Sequence, residues 1–246
     1  KIPLEMSKNS NRETIRLNKL IAQSGLCSRR EADNLILKGR VSINGKTIKK
    51  MGIIIKKTDK IKVDNKNISP EKKIYILLNK PKDYITTNKD THNRKIVIDL
   101  IKNIKERIFP IGRLDRKTTG LLLLTNDGEL SKKLTHPSHK IKKIYSLQIN
   151  KPITKNDFNK LKEGIVIDNE KIHINKINIL NNRKELGIEI HMGKNRIIRK
   201  LFESLHYKII KLDRVMFGPL TKKNLPRGKW KFLDQKELRL LKNFTK

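Results

Sequence analysis

Asp115 is the residue of this sequence best placed to do chemistry. It stands in Gly112-Arg113-Leu114-Asp115, followed by Thr119-Gly120 and the apolar run Leu121 to Leu124. A carboxylate there is either a salt-bridge partner of Arg113 or Arg116, or a reagent. The tetrapeptide alone fits both. Other chemistries find no support in the spacing. Lys117, Thr119 and Asn126 sit where a calcium loop needs oxygen-rich acids. His136 and His139 flank Pro137-Ser138 with no Cys or carboxylate cluster near, so no metal site is expected. No glycine loop of the P-loop kind occurs.

The elements that must position Asp115 follow from periodicity. Ile108 to Ile111 and Leu121 to Leu124 read as strands, the second closed by the turn Asn126-Asp127-Gly128. Asp115 therefore lies on a connection between strands, where reactive groups are held by a rigid scaffold. Ile74 to Leu78 is another strand, broken by Asn79-Lys80-Pro81. Helices are expected around Glu129 to Leu134, over Thr154 to Glu163 up to Gly164, and over the basic tail Gln235 to Lys246. Tyr145, Leu147 and Ile149 alternate as in a half-buried strand, and so do Leu186, Ile188 and Ile190. Gly193-Lys194-Asn195 leads into a helix with Ile198, Leu201, Phe202 and Leu205 on its core face. Arg196 and Arg199, three apart, should share another face. This pattern predicts an α+β fold with a mixed, mostly antiparallel sheet.

The N-terminal quarter differs. Leu17, Leu20 and Ile21 follow helical spacing to a stop at Gly25, and Ser28-Arg29-Arg30-Glu31 reads as a capping box opening a second helix. Val41 to Ile48 is two alternating runs around Asn44-Gly45, a hairpin signal. Arg29, Arg30, Lys38 and Arg40 are expected near one edge. From Ile15 to about Ile74, the stretch "RLNKLIAQSGLCSRREADNLILKGRVSINGK" resembles the S4 RNA-binding domain. That resemblance implies that the helix pair and those four cations contact the phosphate backbone of structured RNA.

Composition agrees. Lys plus Arg number 59 against 24 Asp plus Glu, a formal net charge of +35. Such an excess suits a partner whose phosphates release counterions on binding. Abundant Lys, Asn and Ile also reflect what an AT-rich genome favours. Cys27 is the sole cysteine, which excludes a disulfide framework. No apolar run approaches a membrane span, and Lys1 to Arg12 lack a secretory apolar stretch. A cytoplasmic location is expected.

Four further segments, "IGRLDRKTTGLLLLTNDGEL", "HPSHKIKKIYSLQI", "GKNRIIRKLFESLHYKIIKLDRVMFG" and "LPRGKWKFLD", resemble the RsuA-type family of ribosomal RNA pseudouridine synthases, in order along the chain. The last is similar to a segment of the family's B-type branch, whose target is large-subunit RNA. The resemblance implies an S4 domain over 14–74 and a catalytic domain over 75–246. It further implies Asp115 as the catalytic aspartate, Arg113 as the residue helping to displace the target base, and Tyr145 as the ring packing on the uracil. Arg199, or else Arg196, would pair with the aspartate. The implied partner is ribosomal RNA, as 23S RNA or a pre-50S particle, acted on by a monomer without cofactor, metal or membrane. One departure concerns Lys80-Pro81-Lys82-Asp83, where the family has Lys-Pro-x-Gly; aspartate tolerates positive φ better than most residues.

Overall fold

The computed structural model describes residues 14–244. The polar segment Lys1–Arg12 and the last two residues of the basic tail lie outside the described residues. The chain divides into two compact units, one ending at Lys73 and including 105–107, the other comprising 74–104 and 108 onward.

The smaller unit contains β1 (Thr14–Arg16), α1 (Leu17–Gln23), α2 (Arg29–Leu37), β2 (Val41–Ile43), β3 (Lys46–Ile48), β4 (Ile54–Lys56), β5 (Ile61–Val63) and β6 (Lys66–Asn67). The capping box forms: the Glu31 N–H donates to the Ser28 hydroxyl and the Ser28 N–H donates to the Glu31 carboxylate. Asn44 and Gly45 take φ of +49° and +86° between β2 and β3, the left-handed pair that a tight hairpin turn requires. Leu17, Ile21, Ala32, Ile36 and Val41 are buried in its core.

The larger unit contains β7 (Tyr75–Lys80), β8 (Phe109–Ile111), β9 (Thr119–Thr125), α3 (Gly128–Thr135), β10 (Lys143–Ile149), α4 (Lys155–Glu163), β11 (Ile165–Ile167), β12 (Glu170–Ile172), β13 (Lys176–Asn181), β14 (Glu185–Ile190), α5 (Ile197–Glu203), β15 (Ile209–Phe217), β16 (Leu220–Thr221), β17 (Trp230–Phe232) and α6 (Gln235–Asn243). Nine strands form one sheet in the order β13-β14-β10-β15-β9-β7-β17, with β16 on β15 and β8 on β9. All its pairings are antiparallel except β9 with β15, where Thr119 meets Asp213 and Gly120 meets Arg214. The sheet is mixed and mostly antiparallel.

The central strands are apolar on both faces because both faces are covered. Ile76, Leu78, Leu122 and Leu124 point to one side, with residues of α4 and α5; Tyr75, Leu77, Leu121 and Leu123 point to the other, with residues of α3 and α6. Two expectations need correction. β7 does not break at Asn79-Lys80 but runs through Lys80, because both side chains are buried and hydrogen-bonded; only Pro81 ends it. Arg196 and Arg199 do not share a face. Arg196 is the residue before α5, at φ +50°, and its guanidinium turns out to Glu203, whereas Arg199 points inward from the first turn.

Candidate active site

Residues 112–118, connecting β8 to β9, carry Asp115 and are fixed from several sides. Leu114 is buried; its N–H donates to the Thr86 hydroxyl at 3.2 Å, and that hydroxyl donates to the Leu114 carbonyl at 2.8 Å. The Thr118 N–H closes a turn onto the Asp115 carbonyl at 3.0 Å. Beneath the turn lies Lys80, fully buried, whose ammonium donates to the carbonyls of Pro81, Asp115, Arg116 and Thr118 at 3.1, 3.1, 3.3 and 2.8 Å. Burial pulls this ammonium down to about 8, with Asp115 and Asp83 opposing that fall. Asp83 takes φ +66°, donates its N–H to the Arg116 carbonyl, and pairs with the Arg116 guanidinium at 3.1 Å. The turn thus accepts aspartate in place of glycine, and Arg116 is drawn away from Asp115.

Asp115 meets its cation from α5. Arg199 Nε lies 3.8 Å from Asp115 Oδ2; the arginine side chain is 10% exposed and the aspartate 37%. Arg199 also donates to the Thr118 hydroxyl at 3.4 Å and to the Ile209 carbonyl at 3.5 Å. Burial lowers the guanidinium's pKa, and the Asp115 charge counteracts this. The pairing holds a partly exposed carboxylate beside a buried cation at the cavity.

A cavity of ≈ 180 Å³ opens at this pair. Asp115 is the sole acid in its lining, against six cations, so the opening favours an anionic ligand. Tyr145 lines it from β10, nearly buried. Arg113 lines it too, exposed and without a hydrogen-bond or ion-pair partner among the described residues. Arg196 stands at the rim, held by Glu203 at 3.1 Å.

Three residues of this region escaped the sequence reading. Lys80 looked like part of a strand break. Lys143 donates to the His191 carbonyl at 2.7 Å, and burial, with Arg214 nearby, pulls its ammonium to about 8. Arg214 is buried at 3% exposure and lines the cavity. The signal for it was available: Leu212 and Arg214 alternate on β15, which puts both on the inward face.

In the smaller unit, Arg29 and Arg30 open α2 while Lys38 and Arg40 follow its C-terminus, so the four divide into two pairs. Arg29 donates to Asn18 at 3.3 Å, and Arg40 is ion-paired with Asp64. All four are exposed.

Residues 74–204 match the family described as RNA pseudouridylate synthase, and residues 15–66 match the S4 domain. The chain belongs to the RNA pseudouridylate synthase family. It is 38% identical over 232 residues to the ribosomal large subunit pseudouridine synthase B of Bacillus subtilis, covering 92% of this chain and 95% of that protein. It is 35% identical to a dual-specificity RNA pseudouridine synthase of Escherichia coli, covering 92% and 77%. A crystal structure of a pseudouridylate synthase superposes with a TM-score of 0.67 at 28% identity, over 92% of this chain and 99% of that one. This synthase is an RsuA-type member with an S4 domain ahead of the catalytic fold.

Proposed function

We propose that this synthase converts a specific uridine of large-subunit (23S) ribosomal RNA to pseudouridine, with Asp115 as the reacting carboxylate. The observation that carries the reading is the Asp115–Arg199 pair at 3.8 Å in a cavity shared with Tyr145. The likeness to the Bacillus subtilis large-subunit enzyme supports the choice of RNA.

The reaction breaks the N1–C1′ bond, turns the uracil and joins C5 to C1′. Asp115 serves as the reacting carboxylate, attacking C1′ or C6 or taking a sugar proton, with Arg199 beside it as its cationic partner. Tyr145 gives the freed base a flat surface, so that it turns without escaping. Unstacking the nucleotide costs a few kcal/mol, and Arg113, exposed and uncommitted at the cavity mouth, offsets part of that by filling the vacated space. Every atom of the product comes from the substrate, so the isomerisation calls for no cofactor. The catalytic domain over 75–246 does the chemistry while the S4 domain over 14–74 holds the RNA through Arg29, Arg30, Lys38 and Arg40. The synthase works as a cytoplasmic monomer on 23S RNA or a pre-50S particle.

The test is to incubate the protein with 23S and 16S transcripts and map pseudouridine by carbodiimide modification and primer extension. One modified uridine in 23S RNA is expected. A site in 16S RNA alone would move the target to the small subunit, and no site in either would refute the reading.

A further inference from the structure

Two of the three buried side-chain polar atoms without a hydrogen-bond partner among the described residues lie in the cavity: Nε of Arg199 and Nη2 of Arg214. The first faces Asp115. The second has no such explanation. Arg214 is held by its own Nε, which donates to the Leu121 carbonyl at 2.7 Å, and by the Phe217 ring, 4.9 Å from Cζ. Its guanidinium is therefore anchored through Nε, with the two N–H groups of Nη2 buried and without a hydrogen-bond partner among the described residues. The neighbouring cation Lys143 already donates to the His191 carbonyl. Buried donors are rarely left unmade, and one that lines a cavity finds its acceptor in what enters there, water or a ligand.

The register says what that acceptor is. Arg214 lies directly opposite Tyr145 in the β10–β15 pairing, so both side chains rise from the same face. Asp115 is 37% exposed at the mouth and Arg214 only 3%, so depth increases from the carboxylate to the guanidinium. A uridine with C1′ at Asp115 and its ring on Tyr145 sends its far edge inward. In uracil that edge carries the acceptor O4; in cytosine it carries an amino donor.

We propose that Arg214 reads the uracil, donating from Nη2 to O4 of the target base. This rests on the function proposed above. It also suits the rearrangement. Turning the ring about the line through N3 and C6 exchanges N1 with C5 and C2 with C4, so O2 arrives where O4 stood. The N1–C1′ bond breaks, the C5–C1′ bond forms, C5 loses its proton and N1 gains one. Arg214 exchanges no proton and holds a carbonyl before and after.

The experiment uses the RNA segment in which the wild-type protein converts a uridine, synthesised with uridine, 4-thiouridine or 2-thiouridine there. Sulfur is a poor acceptor, so the wild type should lose about tenfold or more in kcat/KM on 4-thiouridine and less on 2-thiouridine, whose sulfur reaches Arg214 only after the N1–C1′ bond has broken. Arg214→Lys should be slower on uridine yet differ less than about twofold between uridine and 4-thiouridine, since the oriented donor is gone. Arg214→Gln gives the same comparison if the lysine variant fails to fold. An equal 4-thiouridine loss in wild type and variant, no such loss in the wild type, or a loss confined to 2-thiouridine overturns the assignment. A wild type that converts no uridine would instead refute the proposed function.

Discussion

Gly120→Ala should damage the site from a distance. Gly120 has φ +106° and pairs with Arg214 where β9 runs parallel to β15. A Cβ there would lie 2.2 Å from the Arg214 carbonyl oxygen and 2.5 Å from its nitrogen. These are backbone atoms, so no side chain can swing away. Left-handed strain costs about 1–3 kcal/mol and overpacking a fixed wall about 1–3 more. Together these predict about 2–6 kcal/mol, part of it taken as separation of β9 from β15. For a unit of this size the thermal midpoint should fall by about 10 °C. Separation also moves Arg214 and the turn carrying Asp115, so activity should fall further than the unfolded fraction explains. Urea and thermal unfolding of Gly120→Ala would be compared with Gly128→Ala, where an added Cβ meets nothing within 4 Å and alanine at the start of α3 should be neutral or slightly stabilising. A Gly120→Ala loss below about 1 kcal/mol, equal to the control, would refute the close-approach argument.

Lys80 and Lys143 each have a folded pKa of about 8 against an ordinary 10.5. Between those values the unfolded chain still holds protons that the folded chain has released, so stability should rise with pH, by up to about 3 kcal/mol per lysine. Urea midpoints at pH 7.5 and 9.5 test this; Lys143→Met should reduce the rise, and a fall with pH would contradict it. The Tyr75 phenol, raised by burial and by its bond to Asp127, acts oppositely only above its ordinary value of 10. Asp83→Gly should change stability by less than about 1 kcal/mol, because its ion pair with Arg116 is 62% exposed on both sides and such pairs are weak; a larger loss by urea unfolding would show the pair matters. Arg199→Lys keeps a charge but loses the fork that reaches Thr118 and Ile209, so kcat should fall at least about tenfold with RNA affinity unchanged. Equal losses in kcat and affinity, by single-turnover kinetics and filter binding, would assign Arg199 to RNA binding instead.

The parts of the fold legible in the sequence were those written locally. Ser28 and Glu31 announce α2, Asn44-Gly45 announces its hairpin, and the alternation at Tyr145, Leu147 and Ile149 announces β10. Local rules failed where a distant partner overrides them. Lys80 stays in a buried strand because carbonyls from a loop 35 to 38 residues away receive it. Arg196 and Arg199 part company because the residue before α5 takes a left-handed conformation that helical spacing does not foresee. Arg199 and Asp115 are 84 positions apart in sequence numbering and 3.8 Å apart in space; spacing alone gives no sign of that meeting, and only the family resemblance suggested it. Arg214 was hidden differently: it reads as one more cation in a chain of net charge +35, and its burial and spare N–H exist only after β10 and β15 pair.

The most direct measurement replaces Asp115 with asparagine, which keeps size and polarity but removes the charge. Pseudouridine would be mapped on 23S RNA with wild type and Asp115→Asn, alongside RNA affinity and thermal midpoint. Complete loss of the modification, with affinity and midpoint unchanged, is the predicted result. Modification persisting at the wild-type rate would contradict the claim that this carboxylate carries the chemistry.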